Sequence, residues 1–307
     1  MIVAALDIGT NSVKLVVAKD GEVLHDAVRI TRLGEGIDAS GQLNEGAIDR
    51  TLVAISELTN LANEHGATVR GGVGTSALRD AGQGGLEFAQ KASEIFGGPV
   101  KVISGEREAE LTFFAALNAV PNLEGKIVVS DIGGGSAEVS IGDASGIQSG
   151  TSLQMGAVRL TERVHPADPW VNEDVKRAIE LSTEATHALP SPEELGEIST
   201  FVACGGTAAN LAGMALAVMG EEVNVDTIHQ TELQEQTLKV QIENLAFQPL
   251  SSRRKVAGLE PERAEVIVAG AILQRALLKH FQLDSLIVSA HGLRYGVLHA
   301  LQQGQEL

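Results

Sequence analysis

Two α/β domains around a cleft are the fold that this sequence predicts, and three observations predict it. One phrase occurs twice, as Asp7-Ile8-Gly9-Thr10-Asn11-Ser12 near the N-terminus and as Asp131-Ile132-Gly133-Gly134-Gly135-Ser136 in mid-chain. Each copy follows a short apolar run and leads into alternating residues, a second turn and a further apolar segment, which reads as strand, turn, strand, turn, strand. Behind each copy, stretches of helical spacing alternate with short apolar runs. A repeat of this kind sets the architecture, so it is read first.

The first copy runs through strands at Ile2 to Leu6, Val13 to Ala18 and Val23 to Ile30, with Asp20-Gly21 as its second turn. A loop from Gly34 to Gly41 precedes a helix whose apolar positions are Ile48, Leu52, Ile55, Leu58 and Leu61. Val69 begins a strand with a Gly-rich exit through Gly74-Thr75-Ser76 to Arg79, and a helix from about Leu86 to Phe96 and a strand at Val100 to Ile103 follow. Ser104-Gly105-Glu106-Arg107-Glu108 turns into a third helix ending near Asn118. Pro121 to Gly125 reads as the boundary, which divides the chain into domains 1–124 and 125–307.

The second half repeats the plan. Its first strands are Ile127 to Val129, Ala137 to Gly142 and Ile147 to Leu153, with helices expected at Asn172 to Ala188, after Gly206, and at Glu232 to Leu245. Phe201 to Ala209 is the counterpart of the element from Val73 to Arg79. An apolar helix from Arg263 to Phe281 and a strand from Ser285 to Ser289 lead to Gly292-Leu293-Arg294-Tyr295-Gly296.

Composition narrows the function classes. At 307 residues the chain is long enough for about two domains with cores of their own. Aromatics are only 3% of the residues, so those cores are built from Val, Ile, Leu and Ala. A single cysteine, Cys204, excludes an internal disulfide framework and predicts a reducing compartment. Only six residues precede Asp7 and no basic leader is seen, so the expectation is a cytoplasmic protein. The uncharged stretch from Ile198 to Gly220 is too rich in Gly, Ala, Ser, Thr and Asn for a membrane span and reads as strand, turn and helix.

A formal charge of −17 argues against nucleic acid as partner, because that affinity rests on neutralising backbone phosphates. It also requires any phosphate-handling site to be locally basic. The cations that could supply this are Arg29, Arg32, Arg79, Arg107, Arg159, Arg163, Arg253, Arg254, Lys255, Arg263 and Arg294.

The paired turns carry the chemistry. A carboxylate at a strand end beside a Gly-rich turn offers an acid to a metal and backbone N–H groups to phosphate oxygens. One such turn alone reads more readily as a hairpin using glycine's freedom; two with matching flanks favour a phosphate site. The Gly-x-x-x-x-Gly-Lys pattern of a P-loop is absent, and each turn leads into a strand rather than a helix. The eight histidines form no zinc pattern, His25-Asp26 lies in an expected strand without companion histidines, and no Gly-x-Ser-x-Gly elbow occurs. Cys204, at the end of an apolar strand, reads as core.

The two turns resemble those of the actin-like ATPase superfamily, which includes actin, sugar kinases and heat-shock chaperones. More narrowly, the chain resembles the exopolyphosphatase and guanosine pentaphosphate phosphohydrolase family. The narrower resemblance extends through Gly74-Thr75-Ser76-Ala77-Leu78-Arg79-Asp80, Ser104-Gly105-Glu106-Arg107-Glu108-Ala109, Ser152 to Thr161, Gly205-Gly206-Thr207, Arg263 to Ala271 and Gly292-Leu293-Arg294-Tyr295-Gly296. It covers nearly the whole chain in order. Arg107, Glu265 and Tyr295 depart from it, standing where relatives often have another acid, an Asp and a Glu.

The resemblance implies two actin-like, ribonuclease H-like domains and hydrolysis of a terminal phosphate from a phosphoanhydride chain. It implies Glu108 as the carboxylate that orients and deprotonates water, a role a first-turn helix glutamate can fill beside a phosphate. Asp131 and Glu138 are implied as ligands of magnesium or another divalent cation. Asp7, Gly9, Thr10, Asn11, Ser12, Thr75, Ser76, Arg79, Gly133, Gly134, Gly135 and Ser136 are implied as the substrate-binding set. The sequence alone leaves open whether Glu138 shares a face with Asp131, because the turn intervenes.

Inorganic polyphosphate is the first substrate implied and guanosine pentaphosphate the second, with no nucleic acid or membrane partner; a homodimer is compatible with this reading. Longer members carry a C-terminal helical HD-type domain. The chain ends at Leu307, just after its second lobe, so a preference for short polyphosphate is the expectation. Two rivals remain in view at this level: a regulator that binds alarmone or nucleotide without turnover, against which Glu108 weighs, and a kinase of the same superfamily.

Overall fold

The computed structural model describes all residues from Met1 to Leu307. Eleven strands form two sheets: β1 (Ile2–Ile8), β2 (Ser12–Lys19), β3 (Glu22–Ile30), β4 (Val69–Gly74), β5 (Val100–Val102), β6 (Ile127–Ile132), β7 (Ala137–Asp143), β8 (Gly146–Leu153), β9 (Thr200–Cys204), β10 (Glu232–Gln234) and β11 (Ser285–Val288). The first sheet has the order β3-β2-β1-β4-β5 and the second β10-β11-β9-β6-β7-β8. Read from β8 inward, the second sheet has the order of the first, with β10 added at its far edge. In each, an antiparallel three-stranded meander continues into strands parallel to its first member. This is the mixed α/β plan expected from the repeat, in the ribonuclease H-like form that the resemblance implies.

The chain divides into two compact units, one of Met1–Ala115 with Leu293–Leu307, the other of Ala116–Gly292. The expected division into 1–124 and 125–307 therefore differs in two respects. The first crossing falls inside the helix Gly105–Ala119 rather than at Pro121, and the last fifteen residues return to the first unit.

Burial on β1 explains the return. Ala4, Leu6 and Ile8 pack with Leu15, Ile55, Leu58, Phe88 and Phe96 on one face of the first sheet, beneath the helices Glu45–Glu64 and Gln83–Phe96. Val3 and Ala5, alternating with them, pack with Val16, Leu111, Leu293, Val297 and Leu298 on the other. A strand apolar on both faces needs cover on both, and the C-terminal helix Leu293–Gln302 supplies it. The expected elements end at the Gly292-to-Gly296 motif, so this helix is an addition to them, although Leu293, Val297 and Leu301 recur at helical spacing.

The second unit buries Val128, Val139, Ile141, Phe201 and Ala203 of its sheet against Leu211, Ile272, Leu273, Leu277 and Phe281. The helices Gly205–Met219 and Ile267–His280, with Phe281 capping the second, supply those side chains. The uncharged stretch from Ile198 is thus β9 and a core helix, and no helix of the chain is long and apolar enough to cross a membrane. Three local expectations change. The loop after Gly34 contains a short helix, Ile37–Ser40; Glu232–Gln234 is a strand preceding the helix Glu235–Ala246; and Arg79 lies on a short helix, Ser76–Asp80.

Candidate functional site

The duplicated phrase is duplicated in backbone hydrogen bonding. Gly9 N–H donates to the Ser12 carbonyl at 2.9 Å, and Gly133 N–H donates to the Ser136 carbonyl at 3.0 Å. The carbonyl of the isoleucine before each turn accepts from a threonine hydroxyl at the start of a following helix, Thr75 Oγ1 to Ile8 at 3.4 Å and Thr207 Oγ1 to Ile132 at 3.3 Å.

In the first unit the turn is braced from the loop beyond β3. The Thr10 carbonyl accepts from Gly34 N–H at 2.9 Å, and the Asn11 carbonyl accepts from Thr31 and Arg32 N–H at 3.0 Å each. Thr10, Asn11 and Ser12 are all buried, and the Asn11 Nδ2 amide has no acceptor within the chain. A buried amide donor carries a desolvation cost unless something accepts from it, and a phosphate oxygen is a suitable acceptor.

Asp7 is 2% exposed, and its Oδ2 accepts from Lys14 Nζ at 2.9 Å. The two residues face one another across the hairpin, Asp7 on β1 opposite Lys14 on β2. Asp7 is thus neutralised inside its own hairpin. Thr75 and Ser76 are buried, with the Ser76 hydroxyl donating to Asp80 at 3.4 Å.

Arg79 and Glu108, twenty-nine residues apart, meet. Arg79 Nη1 donates to Glu108 Oε2 at 2.6 Å and to the Ile103 carbonyl at 3.1 Å. Glu108 is 7% exposed. It sits in the first turn of the helix Gly105–Ala119, where Glu108 N–H donates to the Ser104 carbonyl and the Ser104 hydroxyl accepts from Arg107 N–H. That end of a helix favours negative charge. Glu106 shares it and is held below its ordinary value by backbone hydrogen bonding and by the Ser104 hydroxyl.

In the second unit, register settles the question the sequence left open. Asp131 on β6 lies directly opposite Glu138 on β7, and Glu138 directly opposite Ser152 on β8. Directly opposed residues of an antiparallel pair share a face, about 4.5–5.5 Å apart at Cβ, so the two carboxylates are neighbours. Both are buried, at 8% and 2% exposure. Ser152 Oγ donates to Glu138 Oε1 at 2.8 Å.

Glycine makes room for Asp131. Gly205, at φ +83°, abuts the carboxylate so closely that a Cβ there would overlap Oδ1. The next glycine, Gly206, lies against the guanidinium of Arg263, which a Cβ would also overlap. The second turn is braced from behind by the helix Ala157–Val164: Ala157 N–H donates to the Gly133 carbonyl, and Val158 and Arg159 N–H donate to that of Gly134. Ser136 is buried, while Gly133 is exposed.

These residues fit a hard divalent cation. Two adjacent, largely buried carboxylates are an oxygen-only donor pair, and magnesium commonly takes one or two carboxylates with phosphate oxygens and waters in its remaining positions. The chain has no group of three or more His, Cys, Asp or Glu able to hold a metal. The pair therefore suits a cation shared with a substrate better than one caged by protein alone.

Five of the other candidate cations are tied to carboxylates in their own unit. Arg29 pairs with Glu57, Arg107 with Glu110, Arg253 with Asp168 and Arg263 with Glu260. Arg294 grips Asp26 through Nε and Nη2, and Tyr295 donates to the same carboxylate at 2.7 Å. Tyr295 thus places a hydroxyl donor against Asp26, where a glutamate would place a second acid. Lys14, Ser152 and Gly205 were missed as site residues. Lys14 was legible: it follows Asp7 by seven positions, as Glu138 follows Asp131. Ser152 carried no signal beyond its place in a motif.

Comparisons with known proteins bear on the whole chain. The Ppx/GppA phosphatase family matches residues 12–303. A Mycobacterium tuberculosis protein named exopolyphosphatase 2 is 33% identical, over 97% of this chain and 98% of its own. A Vibrio vulnificus protein named guanosine-5'-triphosphate,3'-diphosphate pyrophosphatase is 30% identical over 97% of this chain and 59% of its own. Among solved structures, an exopolyphosphatase from Cytophaga hutchinsonii superposes with a TM-score of 0.91 at 26% identity, covering 100% of this chain and 99% of that one. An Aquifex aeolicus PPX-GPPA enzyme gives 0.79 at 32% identity, covering 97% and 98%.

Proposed function

From the premise that the chain belongs to the Ppx/GppA phosphatase family, we propose that it is an exopolyphosphatase, removing the terminal phosphate of inorganic polyphosphate by hydrolysis. The observation that carries the reading is the pairing of Asp131 with Glu138 in register, beside a glycine turn built like the one that precedes Lys14.

Phosphoryl transfer passes through a loose transition state, so positioning and charge do most of the catalysis. Glu108, held by Arg79, orients a water in line with the terminal phosphorus and takes its proton. The water oxygen bonds to phosphorus, the bridging P–O bond breaks, and the shortened chain leaves with that oxygen's electron pair. The first turn offers Gly9, Thr10, Asn11 and Ser12 to phosphate oxygens, with the Asn11 amide as a donor in want of an acceptor. Gly133, Gly134, Gly135 and Ser136 serve in the same way in the second unit, and Thr75, Ser76 and Arg79 complete the set. Asp131 and Glu138 would hold magnesium or a related divalent cation, which when bound supplies positive charge to the phosphate oxygens. The work of these residues is done in the cytoplasm, in keeping with the lone buried Cys204.

Phosphate release from short polyphosphate, long polyphosphate and guanosine pentaphosphate, measured with magnesium for wild type and Glu108→Gln, tests the reading. The expected result is turnover of polyphosphate that falls about 10²–10⁴-fold in the variant. Retained activity in Glu108→Gln would remove the base; binding without turnover of any of the three would make the protein a sensor. Guanosine pentaphosphate is the second reading, favoured by the likeness to the Vibrio vulnificus protein; faster turnover of it than of either polyphosphate would promote it.

A further inference from the structure

Glu138 does not stand alone on its strand. Its Oε1 accepts from Ser152 Oγ at 2.8 Å; Ser152 Oγ accepts from Gln154 Nε2 at 3.4 Å; and Gln154 Oε1 accepts from Arg159 Nη1 at 3.1 Å. Every donor in this series points the same way, from a guanidinium to a carboxylate. Arg159 is 5% exposed and Glu138 2%, so both charged ends lie away from bulk water. The residues between them are a partly buried serine and an exposed glutamine on the edge strand and its exit.

Three features of the sequence put the series in place. The register of the meander sets Ser152 directly across from Glu138. The β8 strand ends at Leu153, so Gln154 turns back along the edge. Arg159 is then fixed because its own N–H donates to Gly134 of the second turn at 3.1 Å. The same residue thus touches the phosphate turn through its backbone and the end of the series through its side chain. The first unit has nothing comparable: Val28 stands opposite Lys14 where Ser152 stands opposite Glu138.

We propose that Ser152 and Gln154 are positioning residues, which relay the charge of Arg159 to Glu138 and hold its carboxylate in the orientation that binds the divalent cation. The proposal rests on the reading of Asp131 and Glu138 as metal ligands. A carboxylate that ligates a metal works best when a neighbouring donor fixes its rotamer, and losing such a donor typically costs 10–100-fold in metal affinity. A neutral hydroxyl suits this place: a lysine there would pair with Glu138 and compete with the cation, and an apolar residue would remove the Oε1 donor.

The test uses the full-length protein with Mn²⁺ as the probe, its binding followed by electron paramagnetic resonance without substrate, alongside the magnesium dependence of phosphate release. For Ser152→Ala, Mn²⁺ affinity is expected to fall about 10-fold or more. The half-saturating magnesium concentration should rise in step, with kcat at saturating magnesium within about threefold of wild type. Ser152→Thr, which keeps the hydroxyl, should restore both. Gln154→Ala changes an exposed residue, so it tests the relay with little risk to folding and should show a smaller loss of the same kind. Unchanged Mn²⁺ affinity in both Ser152→Ala and Gln154→Ala would overturn the relay while leaving the metal pair intact. Absence of Mn²⁺ binding in wild type would overturn the metal assignment and the relay with it. Metal binding that follows the expected pattern without turnover of any phosphate substrate would sustain the relay and refute the hydrolase.

Discussion

Lys14 and Glu138 hold the same position in the two hairpins, each directly opposite the aspartate one residue before the end of the first strand. In the first hairpin the charge of Asp7 is met by an ammonium 2.9 Å away. In the second, Asp131 faces another carboxylate. Like charges side by side in a largely buried place repel, so the second hairpin suits a cation from outside and the first does not. One repeated scaffold is thereby divided into a self-neutralised half and a half suited to a metal.

Exchanging that difference is the sharpest test of it. Glu138→Lys would reproduce in the second hairpin the pair that the first already accommodates. The variant is expected to fold, with a melting temperature near that of wild type, and to lose Mn²⁺ binding and magnesium-dependent hydrolysis together. Lys14→Met should do the opposite, leaving Asp7 buried without its ammonium and lowering unfolding free energy by about 3 kcal/mol. Chemical denaturation and metal titration of both variants read the two outcomes; a Glu138→Lys protein that still binds Mn²⁺ would contradict the argument.

Arg79 and Glu108 form a direct ion pair at 2.6 Å. Arg79 Nη1 donates to both the Glu108 carboxylate and the Ile103 carbonyl, and the planar guanidinium fixes the direction of those donors as the rotatable ammonium on lysine's flexible stem does not. Arg79→Lys is expected to lower kcat about 10–100-fold, an effect on the order of 1.4–2.7 kcal/mol in barrier height. In the double variant with Glu108→Gln the losses should be far from additive, because residues that work together cannot be removed twice. Additive losses in a double-mutant cycle would show that the contact has no part in the reaction.

Gly205 is the residue whose replacement should couple stability to metal binding. At φ +83° an alanine is strained by roughly 1–2 kcal/mol, and its methyl would displace the Asp131 carboxylate. Gly205→Ala is expected to lower the melting temperature modestly and to weaken Mn²⁺ binding at least tenfold. Loss of stability with full metal affinity would place Asp131 outside the site.

The Asp26, Arg294 and Tyr295 cluster predicts a pH response at the alkaline end. Burial pushes the Tyr295 hydroxyl above its usual value near 10, the neighbouring Asp26 adds to this, and Arg294 opposes it. A group whose pKa is raised on folding contributes stability that is complete below its unfolded value and is lost as pH climbs past it. Thermal stability should therefore fall above pH 10 more steeply in wild type than in Tyr295→Phe. Equal slopes in melting curves across that range would show the hydroxyl to be uncoupled.

Much of this protein was legible in its sequence. The two three-stranded meanders were readable because period-two alternation and Gly-Asp turns are local signals, and the duplication confirmed each copy by the other. Glu108 was singled out by the family resemblance, with its place in the first turn of an expected helix as support, and the aspartates of both turns by the duplicated phrase. The helix Glu45–Glu64 followed from apolar spacing in the same way, whereas Ile37–Ser40, Ser76–Asp80 and Leu293–Gln302 of the same unit did not.

Tertiary structure decided the partners. Arg79 reaches Glu108 across 29 positions, and Arg294 reaches Asp26 across 268; no local pattern encodes such meetings. Register alone placed Asp131, Glu138 and Ser152 in one row, since a slip of one residue would have sent Glu138 to the other face. The C-terminal helix joined the first unit because both faces of β1 are apolar and one of them lacked cover. Local spacing determined which elements form, and the burial and pairing of distant surfaces determined which side chains meet.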